Sequence, residues 1–117
     1  MKLDLMSVIY LFVSQTFPEG NYCANIFGNN LQIFFNSNNN TADILANIYG
    51  SKYKCFDVNY EINSTLIYII NNTDNCLNNI LDDYNLCPCP PSIEYDQKSD
   101  EVIISNDKIG YINLLKC

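Results

Sequence analysis

Histidine, arginine and tryptophan are all missing from this chain of 117 residues. Without histidine there is no Ser-His-Asp or Cys-His arrangement to activate a nucleophile, and no imidazole to complete a zinc site. Without arginine there is no planar fork to clamp a phosphate or carboxylate. The few glycines, Gly20, Gly28, Gly50 and Gly110, lie far apart, so no glycine-rich phosphate loop can form. Positive charge is scarce as well, with 6 lysines against 13 acidic residues and a net charge of -7. Such a surface repels phosphate backbones and anionic headgroups, which disfavours binding to nucleic acid or to a membrane surface. An Asp-x-Asn-x-Asp-Gly calcium loop is also lacking. The expectation is a protein with no catalytic residues, no cofactor and no metal.

What is present points to export. The segment MKLDLMSVIYLFVSQTFPEG has Lys2 ahead of an apolar run from Leu5 to Val13, then the small or polar residues Ser14 and Thr16. That is the layout of a secretory signal peptide over residues 1–16, cleaved just after Thr16. Asp4 and Ser7 depart from the usual pattern, and the competing reading is a first strand or a short buried helix. No later stretch approaches the ~18 apolar residues of a membrane span, so the mature chain, 17–117, is expected to be one soluble, secreted β domain. The 48% hydrophobic content is enough for a small core, and the 19 asparagines are read as coding bias rather than function.

Six cysteines, Cys23, Cys55, Cys76, Cys87, Cys89 and Cys117, all follow the expected cleavage point. An even number in a short exported chain implies a disulfide framework, although spacing alone leaves the pairing open. Asn39, Asn63 and Asn71 each begin an Asn-x-Ser/Thr sequon, a match that is common by chance in so asparagine-rich a chain but consistent with a glycoprotein. In NLCPCPP, Asn85 to Pro91, two cysteines stand one residue apart among three prolines. Bonding to each other would strain the ring, so each is expected to reach a different partner as a structural staple rather than to serve metal or redox chemistry.

Periodicity favours strands. In Lys52 to Ile62, Phe56, Val58, Tyr60 and Ile62 alternate with polar residues, giving one buried and one wet face. Leu31, Ile33 and Phe35 alternate, as do Ala42, Ile44, Ala46 and Ile48, and the polar loop 36–40 between them completes a hairpin signature. Thr65 to Ile70 is a continuous apolar run, as expected of a strand covered on both faces. Glu101 to Ser105 and Ile109 to Leu115 flank Asn106-Asp107-Lys108 and read as a last hairpin. Only one segment has helical spacing: Leu77, Ile80, Leu81 and Tyr84 predict a short helix near residues 74–84, started by Thr73 or Asp74, ended at Asn85 and tied to the sheet through Cys76. The fold class is therefore mainly β, a small disulfide-stabilised antiparallel sandwich or barrel of about seven or eight short strands with one helix.

Two carboxylate pairs, Asp82-Asp83 and Asp100-Glu101, are what a glycosidase would need in a cleft, but their contexts read as solvated surface. Tyr22, Tyr49, Tyr53 and Tyr111 stand at strand ends, where a tyrosine either offers a flat face to a sugar or protein or completes the core. The entry Gly20-Asn21-Tyr22-Cys23 resembles the start of small ligand-binding barrels such as the lipocalins, but their Gly-x-Trp motif is missing and no residue role carries over. The leading functional expectation is a secreted, non-catalytic, disulfide-stabilised glycoprotein domain for extracellular or surface binding, its partner a protein, a glycan or an apolar small molecule, with one unit of an extracellular assembly as a compatible setting. The alternative is a lipid carrier with a cavity inside a β-barrel, and a carboxylate-based hydrolase is the least favoured.

Overall fold

The computed structural model describes residues 17–70, 76–84, 91–108 and 110–117. Eight antiparallel strands follow one another as a closed meander: β1 (Gly20–Ile26), β2 (Asn29–Asn36), β3 (Thr41–Ile48), β4 (Ser51–Asn63), β5 (Leu66–Ile69), β6 (Ser92–Asp96), β7 (Glu101–Asn106) and β8 (Gly110–Lys116). The helix α1 (Cys76–Asp83) lies in the β5 to β6 connection. Of the two architectures left open by periodicity, the chain adopts the barrel. Closure pairs β1 with β8 through Tyr22↔Lys116 and Cys23↔Leu115, and removes the exposed edges of an open sheet.

An up-and-down order places alternate connections at opposite ends. The Gly20 end gathers the entry to β1, the loop 37–40, the turn 64–65, the loop 97–100 and Cys117. The other end, here the tip end, carries the turns 27–28 and 49–50, the helix α1 and the turn at 107–108.

Inside, alternation fills the barrel. Ile33 and Phe35 of β2, Ala42, Ile44 and Ala46 of β3, Val58 and Tyr60 of β4, and Val102 and Leu114 opposite them are all buried. Fully burying one of the larger side chains is worth about 1.5–3 kcal/mol, so these positions fix the register of the strands that carry them. Two sequence expectations fail on β4 and β5. Phe56 was expected inward with Val58, yet it is 61% exposed, because a β-bulge interrupts the alternation. Ala42 pairs with Val58 but Ile44 with Cys55, so Asp43 stands opposite two residues, Phe56 and Asp57. The Asp57 backbone N–H donates to Asp43 Oδ1 at 2.9 Å, holding Asp57 at a φ of 54°. The bulge swings Cys55 inward instead. On β5, Ile67 is buried but Tyr68 is exposed, so that strand has one wet face rather than two covered ones.

Cysteine pairing fastens both the seam and the helix. Cys23 is bonded to Cys117 with Cα atoms 5.3 Å apart, locking β1 to the end of β8. Cys55 is bonded to Cys76, and Ile80 of α1 joins the core beside it. Tyr84 and Tyr53 complete the attachment: the Tyr84 hydroxyl donates to the Ile48 carbonyl at 3.1 Å, and the Tyr53 hydroxyl lies 3.2 Å from it and 3.1 Å from Asp83 Oδ2. The helix begins and ends within the span that its sequence spacing predicts. Its expected caps, Thr73, Asp74 and Asn85, and the cysteines of NLCPCPP, Cys87 and Cys89, lie outside the described residues.

Candidate functional site

The Gly20 end is where polar chemistry meets the core. Four rings meet edge to face: Tyr22 and Phe35 with centroids 5.7 Å apart, Phe35 and Tyr60 at 5.4 Å, and Tyr22 and Tyr95 at 6.4 Å. Alternation on β1, β2, β4 and β6 points all four inward at the same level. Two of their hydroxyls converge on a single acceptor: Tyr22 donates to Asp100 Oδ1 at 2.5 Å and Tyr95 donates to the same oxygen at 2.7 Å. Lys116 closes the group from the side, its Nζ 4.7 Å from the centre of the Tyr22 ring and donating to the Glu19 carbonyl.

These contacts overturn one sequence expectation. Asp100, read as solvated, is a half-buried acceptor at the barrel rim, in a left-handed conformation with φ 54°. Burial alone would raise its pKa. The Tyr22 and Tyr95 hydroxyls and the charge of Lys116 outweigh that, so its carboxyl titrates below the ordinary value. Tyr22 moves the opposite way, raised far above the ordinary range by burial first and by its bond to Asp100 second. Tyr22 therefore belongs to the core, as does much of Tyr53, whereas Tyr49 and Tyr111 are 82% and 79% exposed.

Tyr60 is the exception within the ring cluster. Its side chain is buried, and its hydroxyl has no hydrogen-bond partner among the described residues. Burial, with Glu19 nearby, pushes its pKa up, so the group stays a neutral donor and acceptor across physiological pH. Tyr60 lies in the wall of an open cleft of about 540 Å³, lined also by Phe17, Ser37, Asn40, Glu61, Ile62 and Ser64. The cleft follows from strand lengths. Pairing between β3 and β4 stops at Thr41↔Asn59, while β4 continues to Asn63 on β5 alone. The loop 37–40 bends across the gap, with the Tyr60 N–H donating to the Asn40 carbonyl at 3.0 Å. Ser37 Oγ donates to Glu19 Oε1 at 3.0 Å, which fixes the loop against the chain entering β1.

The sequence-derived sites distribute unevenly around this cleft. Asn39 and Asn63 are both exposed and flank it, one on the loop and one at the end of β4, while Asn71 lies outside the described residues. Asp83 is exposed at the tip end, far along the barrel from Asp100, so these two carboxylates do not share a cleft. Among the described residues no cluster of cysteine and carboxylate ligands is arranged to hold a metal ion, and no helix is long and apolar enough to cross a membrane. Sequence reasoning missed Phe17, Glu19 and the special position of Tyr60. Tyr60 was legible as a core residue, but nothing in one dimension separates a paired buried hydroxyl from an unpaired one. No family model matches the chain, and no curated protein or solved structure matches it either.

Proposed function

We propose that this is a secreted, non-catalytic, disulfide-stabilised glycoprotein domain that binds a partner at or outside the cell surface, and that the cleft beside Tyr60 is its binding site. The polar lining of the cleft carries the reading. The Tyr60 hydroxyl is sealed beneath the cleft wall, so the groups a ligand meets are the exposed ones around it. The surrounding hydroxyls of Ser37 and Ser64, the Asn40 amide, the Glu61 carboxylate and the half-exposed Phe17 ring suit a polar ligand with one flat apolar face. A glycan has that chemistry. Export is supported by the two disulfides, which persist in oxidising compartments. A lipid carrier draws support from the closed barrel, but the large side chains packed inside it, Phe35, Tyr60 and Tyr95 among them, occupy the space a lipid would need.

Glu61→Ala tests the site. It removes an exposed carboxylate from the cleft wall and leaves the core untouched, so the melting temperature is expected to stay within a few degrees. Binding of neutral oligosaccharides, screened on an array and measured by calorimetry, is expected to weaken by about tenfold, the worth of one hydrogen bond to a charged group. Tyr60→Phe alters only a sealed hydroxyl and is expected to leave the affinity unchanged. An affinity unchanged by Glu61→Ala, or no saccharide binding at all, would remove the cleft from consideration.

A further inference from the structure

The opposite end of the barrel is built differently. The β1–β2 hairpin turns on Phe27-Gly28, with φ angles of 51° and 83°, and the β3–β4 hairpin turns on Tyr49-Gly50, with 50° and 84°. Both are two-residue turns with left-handed φ at both positions, the geometry for which Asn-Gly is the preferred sequence. For a bulky aromatic residue that conformation is an outlier. In a chain with 19 asparagines, neither turn has one at its first position. Backbone preference therefore opposes Phe27 and Tyr49, and burial does not explain them, because Phe27 is 101% exposed and Tyr49 82%.

The two rings are placed on a firm base. Asn29 Oδ1 accepts the Tyr49 backbone N–H at 2.9 Å, joining one hairpin to the other, and Asn25 Oδ1 accepts the Gly28 N–H at 3.3 Å. Neighbouring hairpin tips in a sheet are two strand spacings apart, roughly 10 Å. Tyr111, at the start of β8 beside β1, and Ile26 extend the same apolar rim.

Charge is withheld from the tips and supplied behind them. Residues 25–30 and 47–51 contain no charged side chain, although the whole chain carries -7. Lys52 and Lys54 follow the second tip on the outer face of β4, and Lys108 stands in the turn before Tyr111, with Asp107 and Asp83 as the described acids of this end. Lysines one turn back from an apolar tip can reach phosphates while the tip is immersed. The Phe27 ring stands fully exposed and the Tyr49 ring lies tilted beside Tyr84, centroids 6.3 Å apart, so exposed aromatic rings are backed by lysines; tyrosine favours the interfacial zone of a bilayer.

We infer that the tip end docks onto a zwitterionic lipid surface, with Phe27 inserted among the acyl chains and Tyr49 and Tyr111 at headgroup level. The acidic composition that disfavours membrane binding acts against anionic headgroups; phosphatidylcholine carries no net charge, so the penalty does not apply. Docked in this way, the Gly20 end faces away from the membrane.

Co-sedimentation of the oxidised protein with phosphatidylcholine vesicles tests the inference. The intact protein is expected to partition to the vesicles, and to do so less when phosphatidylserine replaces part of the phosphatidylcholine. Phe27→Asn and Tyr49→Asn are each expected to reduce partitioning about tenfold or more, since each withdraws a large apolar side chain from the interface. Because asparagine suits the left-handed turn, Phe27→Asn should hold or raise the melting temperature, and Tyr49→Asn, where the same gain offsets the lost ring contact with Tyr84, should keep it within a few degrees, which separates lost binding from lost folding. Phe56→Asn, on the barrel wall, is expected to leave partitioning unchanged. No partitioning of the intact protein, or equal partitioning of the Phe27→Asn/Tyr49→Asn double variant, would overturn the inference. So would a dimer seen by sedimentation that the same double variant dissolves, which would assign the tips to a second copy of the chain. The saccharide measurement on the cleft fails or succeeds independently, at the other end of the barrel.

Discussion

Replacing Cys23 and Cys117 together with serine is expected to lower the melting temperature by about 15–20 °C. The bond joins residues separated by 94 positions, and closing a loop of that size in the unfolded chain is worth about 4.5 kcal/mol on the chain-entropy account. A domain of this size has a total stability of roughly 5–15 kcal/mol, so the loss is a large fraction of it. The seam it holds is short. Tyr22↔Lys116 and Cys23↔Leu115 are its registered pairs, with the Cys117 N–H donating to the Asn21 carbonyl at 3.1 Å. Hydrogen exchange should therefore accelerate first in β1 and β8, while β3 and β4, which share a long ladder, remain protected. Cys55–Cys76 spans 21 residues and is expected to contribute about 3 kcal/mol, with its loss felt around α1. Unchanged melting and unchanged exchange in the double serine variant would show that pairing of β1 with β8 closes the barrel without the bond.

Asp100→Ala is expected to cost about 3–5 kcal/mol. It takes the charged acceptor from the buried hydroxyls of Tyr22 and Tyr95, leaving Tyr22 with only the Glu19 N–H that it accepts, and it leaves alanine in a left-handed conformation. Asp100→Asn keeps an acceptor oxygen and a side chain that tolerates this backbone, so it should cost less than half as much. The same carboxylate predicts acid sensitivity. Its folded pKa lies below the ordinary 3.8, so its contribution to stability is fully present above about pH 4 and fades as pH falls through the folded value. Thermal melts between pH 5 and pH 2 should show a steeper decline for the unaltered protein than for Asp100→Asn. Parallel curves would mean that Asp100 does not govern this window.

How much of this was legible beforehand depends on the range of the interaction. The hairpins of β2 with β3 and of β7 with β8 were readable because alternation and loop residues are local signals, and α1 was readable from Leu77, Ile80, Leu81 and Tyr84. Phe56 was misplaced because a bulge shifts the alternation by one residue, and only the register with Asp43 reveals it. β6, where Ile93 and Tyr95 alternate with Ser92, Glu94 and Asp96, is not legible as a strand because it is five residues long and follows Pro88, Pro90 and Pro91, a break signal that outweighs so short an alternation. Asp100 looked like a surface acid since its partner Tyr22 is 78 residues away. The four tyrosines at strand ends looked alike in sequence. Which end of the barrel each occupies, and on which side of its strand, decided that Tyr22 is core and Tyr49 is surface.

The Cys23–Cys117 bond also determines how the domain would bear tension. Both ends of the described chain emerge at the Gly20 end, so a pull applied through residue 17 and residue 117 enters at β1 and leaves at the last residue. Once Gly20 to Tyr22 have peeled away, the load runs through the disulfide and bypasses the residues between the two cysteines. A stretched chain of 94 residues would otherwise pay out roughly 300 Å. With the bond intact that slack is withheld, and the cleft residues from Ser37 onward and the hairpin tips lie outside the path of the force. Oxidised, the barrel is a short, stiff link that keeps its surfaces under strain; reduced, it becomes an extensible tether.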